Sequence, residues 1–136
     1  ARSVGRDPRS VKISGGGFVI TGGRKEDLKQ GMERVRLDIA FHSSTRTYQR
    51  VLETHGWEGL IPRLHALSLE QKWDEMAQQV SDEMVFTFAA VGLYDEVASL
   101  LKQRFHGLLD EISPDIYSYP PMSDAQERRF LEELRS

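Results

Sequence analysis

The chain has 136 residues, enough for one ordinary domain with a modest core but too few for a complete eightfold βα barrel, which needs roughly 250. A formal net charge of -3 and a pI near 5.8 leave no basic footprint for nucleic-acid phosphates, and the absence of cysteine excludes disulfides, Cys-ligated zinc, iron-sulfur clusters and thiol catalysis. No apolar run approaches the roughly 18 residues of a membrane span and no signal-peptide pattern is present, so the expectation is a soluble, cytoplasmic protein without nucleic-acid or membrane partners. The chain starts at Ala1 without an initiator Met, which suggests a piece of a longer protein.

After the turn Gly5-Arg6-Asp7-Pro8, the β-branched and aromatic residues Val11, Ile13, Phe18, Val19 and Ile20 predict a first strand over 11–20. Gly15-Gly16-Gly17 inside it signals a bulge or the close approach of another group. Leu28, Met32, Val35 and Ile39 recur at helical steps and predict an amphipathic helix from about Lys25 to Phe41. Ser43-Ser44-Thr45 interrupts that stripe and suits the cap of a second helix, with Tyr48, Val51 and Leu52, ending near His55-Gly56.

Pro62 fits the first turn of a short helix with Leu64 and Leu67 facing inward. Ser68-Leu69-Glu70-Gln71 has the spacing of a capping box and predicts a helix carrying Leu69, Trp73, Met76 and Val80. Ser81-Asp82-Glu83 caps one more turn, and the apolar run that follows reads as a strand over Thr87 to Val91. Beyond Gly92, the residues Val97, Leu100, Leu101 and Phe105 form a helical stripe ended by Gly107, with Asp95 and Glu96 at its positive end. A last strand is predicted over Asp110 to Tyr117, where Pro114 argues for an edge position or an early end to pairing. Past Pro120-Pro121, Ser123-Asp124-Ala125-Gln126 caps a terminal helix with Phe130, Leu131 and Leu134.

The segment from Phe86 to Ile116 is therefore a strand, helix, strand unit, and parallel strands joined by a crossover helix occur almost only in sheets covered on both faces. The fold class is α/β and helix-rich, with about three parallel strands and a helical insertion over roughly 24–85 in a single partial domain spanning 1–136.

Ile39-Ala40-Phe41, Ser43-Ser44-Thr45-Arg46-Thr47-Tyr48 and Val51-Leu52-Glu53 through His55-Gly56-Trp57 resemble blocks of the luciferase-like monooxygenase family, in particular its F420-dependent branch. Trp73-Asp74-Glu75-Met76, Asp82-Glu83-Met84, Phe88-Ala89-Ala90-Val91-Gly92 and Asp95-Glu96-Val97 continue in the family's order. The resemblance implies the carboxyl-terminal portion of a (β/α)8 barrel, from about the sixth strand to the last helix. It further implies FMN or F420 at the carboxyl ends of the strands, a small-molecule substrate and a homo-oligomer. The chain departs from the family at Leu93-Tyr94, where a small hydroxyl residue and a proline are usual, and at Pro114 with its acidic neighbours.

In such a barrel Thr21, Gly22 and Gly92 fall at carboxyl ends of strands, where sites are built, and become candidate cofactor contacts. Ser43 and Ser44 could hydrogen-bond a cofactor tail, although helix capping explains the same residues. His42, His55, His65 and His106 lack metal-ligand spacing, and the carboxylate pairs Asp82-Glu83 and Asp95-Glu96 are explained by helix starts, so neither a metal site nor a catalytic residue is assigned. The family's chemistry thus attaches to a longer protein, and a non-catalytic interaction or dimerisation module is the alternative for this chain.

Overall fold

A computed structural model describes residues 2–136. After two short helical turns the chain forms β1 (Ser14–Gly15) and β2 (Phe18–Gly22), followed by α1 (Lys25–Ser43) and α2 (Gln49–Thr54). Then come α3 (Ile61–Leu69), α4 (Trp73–Ala77), α5 (Asp82–Phe88), β3 (Ala89–Leu93) and α6 (Val97–Phe105). The chain ends with β4 (Glu111–Ile112), β5 (Asp115–Tyr119) and α7 (Asp124–Arg135).

The main sheet is parallel with strand order β3-β2-β5, and β1 pairs in parallel with β4. The expected strand, helix, strand unit is present as β3-α6-β5, but its two strands do not touch, because β2 lies between them. The central place suits β2, whose Val19, Ile20 and Thr21 are fully buried, whereas β5 opens on exposed Asp115 and Ile116 and tolerates a flank without a neighbour. Pro114 behaves as its missing N–H requires, since it stands in the gap between β4 and β5 and β5 is an edge strand.

Successive residues of β2 point to opposite faces, so Ile20 and Val19 enter different cores. Ile20 packs with Val35, Ile39, Leu52, Leu64, Met76, Met84 and Val85 under the helices α1 to α5. Val19 packs with Ala90, Val97, Ala98, Leu101 and Phe130 under α6 and α7. Each fully buried aliphatic side chain contributes about 1.5–3 kcal/mol relative to exposure, and this two-sided burial lets a short parallel sheet persist.

Two arginines tie the helical layer down. Arg36 of α1 donates to the Val80 carbonyl at 2.7 Å and pairs with Asp82, which fixes the start of α5. Arg104 of α6 donates to the carbonyls of Phe86 and Thr87, which α5 leaves without helical partners as it runs directly into β3, and to that of Ala89 at the start of β3.

The expected helices at Lys25, Ser81 and Ser123 form with the anticipated starts. Asp27 returns to the Arg24 amide, Ser81 Oγ accepts the Met84 amide, and Ser123 and Gln126 make a reciprocal capping box. The Ser68 capping box does not form. Ser68 lies in the last turn of α3 and donates to the His65 carbonyl, Gln71 takes a left-handed φ of 58°, and the helix restarts at Trp73. A serine hydroxyl satisfies a carbonyl one turn back as readily as it caps an amide, and here that bond ends a helix instead of starting one.

Three strand expectations also shift. The first strand breaks at Gly16-Gly17, where Gly17 adopts φ 67°, a conformation that L side chains rarely take. The run at Phe86 divides so that Thr87 and Phe88 close α5 and the strand starts at Ala89, because Ser81 caps a helix two turns long. The last strand divides at Ser113-Pro114 and extends to Tyr119. In α6, Val97 and Leu101 are buried as expected, while Leu100 is partly exposed.

Candidate functional site

The candidate residues lie at opposite ends of the sheet. Thr21, Gly22 and Gly92 stand at the carboxyl ends of β2 and β3, and register pairs Thr21 with Gly92 on one side and with Ser118 on the other. Ser43 and Ser44 close α1 at the amino end of the sheet, where Ser43 lines a cleft and Ser44 Oγ donates to the Phe41 carbonyl at 2.7 Å. The fold brings the first three together and keeps them apart from the serines.

The carboxyl rim is tightly closed by the chain itself. A Cβ on Gly22 would stand 2.7 Å from the Tyr119 carbonyl oxygen and 2.8 Å from Asp27 Cβ, and one on Gly92 would stand 2.8 Å from Leu100 Cδ1. Gly22 is therefore required by the backbone that faces it, whereas at Gly92 the end of the Leu100 side chain could move aside. Tyr94, at the position of the family departure, bridges two strand exits: its amide donates to the Gly22 carbonyl at 3.2 Å and its hydroxyl to the Pro120 carbonyl at 2.5 Å.

Two amides of the rim turns are already occupied by carboxylates. Glu96 Oε2 accepts the Leu93 amide at 3.0 Å, and Asp27 Oδ2 accepts the Arg24 amide at 2.9 Å. The hydrogen bond from the Arg24 guanidinium, more than any other contact, holds the Asp27 carboxyl below its usual range. The rim thus sets carboxylates on those two turn amides, and the guanidinium of Arg24 beside them is engaged by Asp27. Thr21 Oγ1 alone, among the described buried side-chain polar atoms, lacks a hydrogen-bond partner, and it is fully enclosed. As packed, neither the Leu93 nor the Arg24 amide is free to receive the phosphate of FMN or F420.

The amino end is open. A cleft of about 250 Å³ lies between Phe18, Ile39, Val51, Leu52 and Phe88, with polar groups from His42, Ser43, Tyr48 and Asp115. Its rings are in contact: the centroids of His42 and Tyr48 are 5.0 Å apart, and those of Phe18 and His42 are 6.4 Å apart, both edge-to-face. His42 Nδ1 meets the Asp38 carbonyl at 2.7 Å, and since a carbonyl only accepts, that nitrogen carries the proton. In the neutral ring Nε2 is then an acceptor.

Behind the cleft wall, the Tyr117 hydroxyl donates to Asp38 Oδ2 at 2.7 Å, and Arg34 pairs with the same carboxylate at 3.5 Å. Burial, followed by the bond to Asp38, pushes the Tyr117 phenol up to about 12. Reading of the sequence did not single out His42 Nε2, Tyr48 or Asp115 for a site. The aromatic and acidic residue types were visible, but their meeting depends on β5 taking the flank of β2.

Among the described residues no helix is long and apolar enough to cross a membrane, and no group of acidic or histidine side chains is placed to hold a metal ion. A family model described as luciferase-like monooxygenase matches residues 1–111, a span that includes β2, α1 and β3 and stops before β5. Uncharacterized proteins of Mycobacterium bovis and Mycobacterium tuberculosis are each 40% identical over 114 residues, covering 84% of this chain and 33% of the relative. The chain thus spans about a third of the length of these curated relatives. No solved structure matches it. With the model covering most of its length, the chain belongs to the luciferase-like monooxygenase family.

Proposed function

We propose that this chain is part of a luciferase-like oxidoreductase that uses FMN or deazaflavin F420 to act on a small-molecule substrate. Its own role is scaffolding: β2 and β3 form neighbouring wall strands of a (β/α)8 barrel and one side of the cofactor cleft. Strand β5, on the opposite flank of β2, departs from barrel order, and the phosphate seat is supplied from outside these residues. The observation that carries the reading is the family match over 1–111, which lies on adjacent, parallel β2 and β3 in the manner of consecutive barrel strands. The occupied amides at Leu93 and Arg24 support assigning the phosphate seat elsewhere.

Titration of FMN and F420, followed by cofactor fluorescence, tests this reading. The 136-residue chain is expected to show no micromolar affinity, and the chain extended to the length of its relatives is expected to bind one of the two. Micromolar binding by the short chain, or none by the extended protein, would overturn it.

A second reading, a non-catalytic association module, is favoured by the flanks of β3 and β5, each without a strand partner among the described residues. It predicts a homo-oligomer in sedimentation. A monomer at high protein concentration would sink it.

A further inference from the structure

We infer that the cleft at the amino ends of β2 and β5 is a binding site for a small organic amine in its protonated form, a molecule with an apolar body and a cationic head. Three independent features of the lining agree. The volume of about 250 Å³ exceeds the roughly 150 Å³ that holds a benzene ring and leaves room for a short arm. The walls from Phe18, Val51 and Leu52 are apolar, and the rings of Phe18, His42 and Tyr48 offer aromatic surface of the kind that attracts ammonium groups.

The polar groups select for a donor. His42 Nε2 is left as an acceptor by the bond at Nδ1, and Asp115 adds a carboxylate at the mouth. No lysine or arginine lines the cleft, and Asp115 takes part in none of the ion pairs among the described residues. A carboxylate ligand would meet Asp115 with no compensating cation, and a neutral ligand would leave that charge unused. An ammonium group satisfies Asp115, His42 and the rings together. Asp115 lies beyond the span matched by the family model, and the cleft lies at the opposite end of the sheet from Thr21, Gly22 and Gly92, sharing only Ser43 with the candidate cofactor contacts.

The test is a titration of the isotope-labelled full chain at about pH 8 with three isosteric probes: phenethylamine, phenethyl alcohol and hydrocinnamate. Amide shifts report the location. Phenethylamine is expected to perturb Phe18, His42 and Val51 and to bind roughly tenfold more tightly than the alcohol, with hydrocinnamate weakest. Asp115→Asn, at an exposed position, should bring the amine close to the alcohol while leaving the alcohol unchanged. His42→Phe keeps a ring in the wall but removes the acceptor, and should weaken both amine and alcohol several-fold. Equal affinity for amine and alcohol, preference for hydrocinnamate, shifts confined to the carboxyl rim, an unaltered ratio in Asp115→Asn, or no binding at millimolar amine would each overturn the assignment.

Discussion

The two ends of the sheet behave as opposites. At the carboxyl end the loops fold back so closely that glycine is the only residue that fits at Gly22, and Glu96, Asp27 and the Gly22 carbonyl occupy the turn amides. At the amino end α1 and α2 stand off from β2 and β5, and an aromatic-walled space remains between them. A position that resembles a binding site in sequence can thus be closed by its own chain. The other end holds the room and the unclaimed polar atoms.

The contrast can be broken by changing the fill at either end. The largest effect is expected at the cleft floor. Leu52→Ala removes a side chain only 1% exposed and should cost about 3 kcal/mol, whereas Val51→Ala on the exposed wall should stay within about 0.5 kcal/mol, both read from urea unfolding midpoints. Equal costs would mean that the cleft is collapsed in solution. Gly22→Ala, which places a methyl against the Tyr119 carbonyl, should cost about 2 kcal/mol if the rim is as tight as described, and a neutral outcome would open that end of the comparison.

Tyr117→Phe sharpens the picture of the wall behind the cleft. Losing the hydroxyl bond to Asp38 should cost about 1 kcal/mol near neutral pH. Because the folded-state phenol is raised from 10.0 to about 12, its contribution is complete below pH 10 and is lost as pH rises through about 12. Ultraviolet titration should show one late-ionising tyrosine that disappears in the variant. The smallest effect belongs to Asp27. Its lowered carboxyl stabilises the fold above the usual carboxylate range and loses that contribution as pH falls through its folded value. The protection factor of the Arg24 amide, its exchange rate relative to the unfolded chain at the same pH, should fall in acid, and Asp27→Asn should show the lower protection already at neutral pH.

Local chemistry carried much of the fold into the sequence. The stripe Leu28, Met32, Val35, Ile39 and the Ser81 and Ser123 caps depend on residues within a turn or two of each other, and each formed as its spacing requires. Ser68-Gln71 has the same local grammar and failed, because a hydroxyl bond to His65 and a left-handed Gln71 compete with the cap over equally short distances. The position of β5 was not legible at all. Which flank of β2 it joins depends on two sheet faces and the helices that cover them. For the candidate site, the carboxyl-end placement of Thr21, Gly22 and Gly92 could be read from strand and turn signals, but the occupation of the Leu93 amide by Glu96 is a matter of side-chain reach.

The central position of β2 also has a consequence in time. It is the first strand of the main sheet to leave the ribosome, yet neither neighbour exists until Ala89–Leu93 and then Asp115–Tyr119 have been made. Phe18, Val19 and Ile20 must therefore remain unpaired through most of synthesis, a β-prone apolar stretch awaiting distant partners. The strand that is flanked on both sides in the finished sheet is, for the nascent chain, the one that waits for its partners.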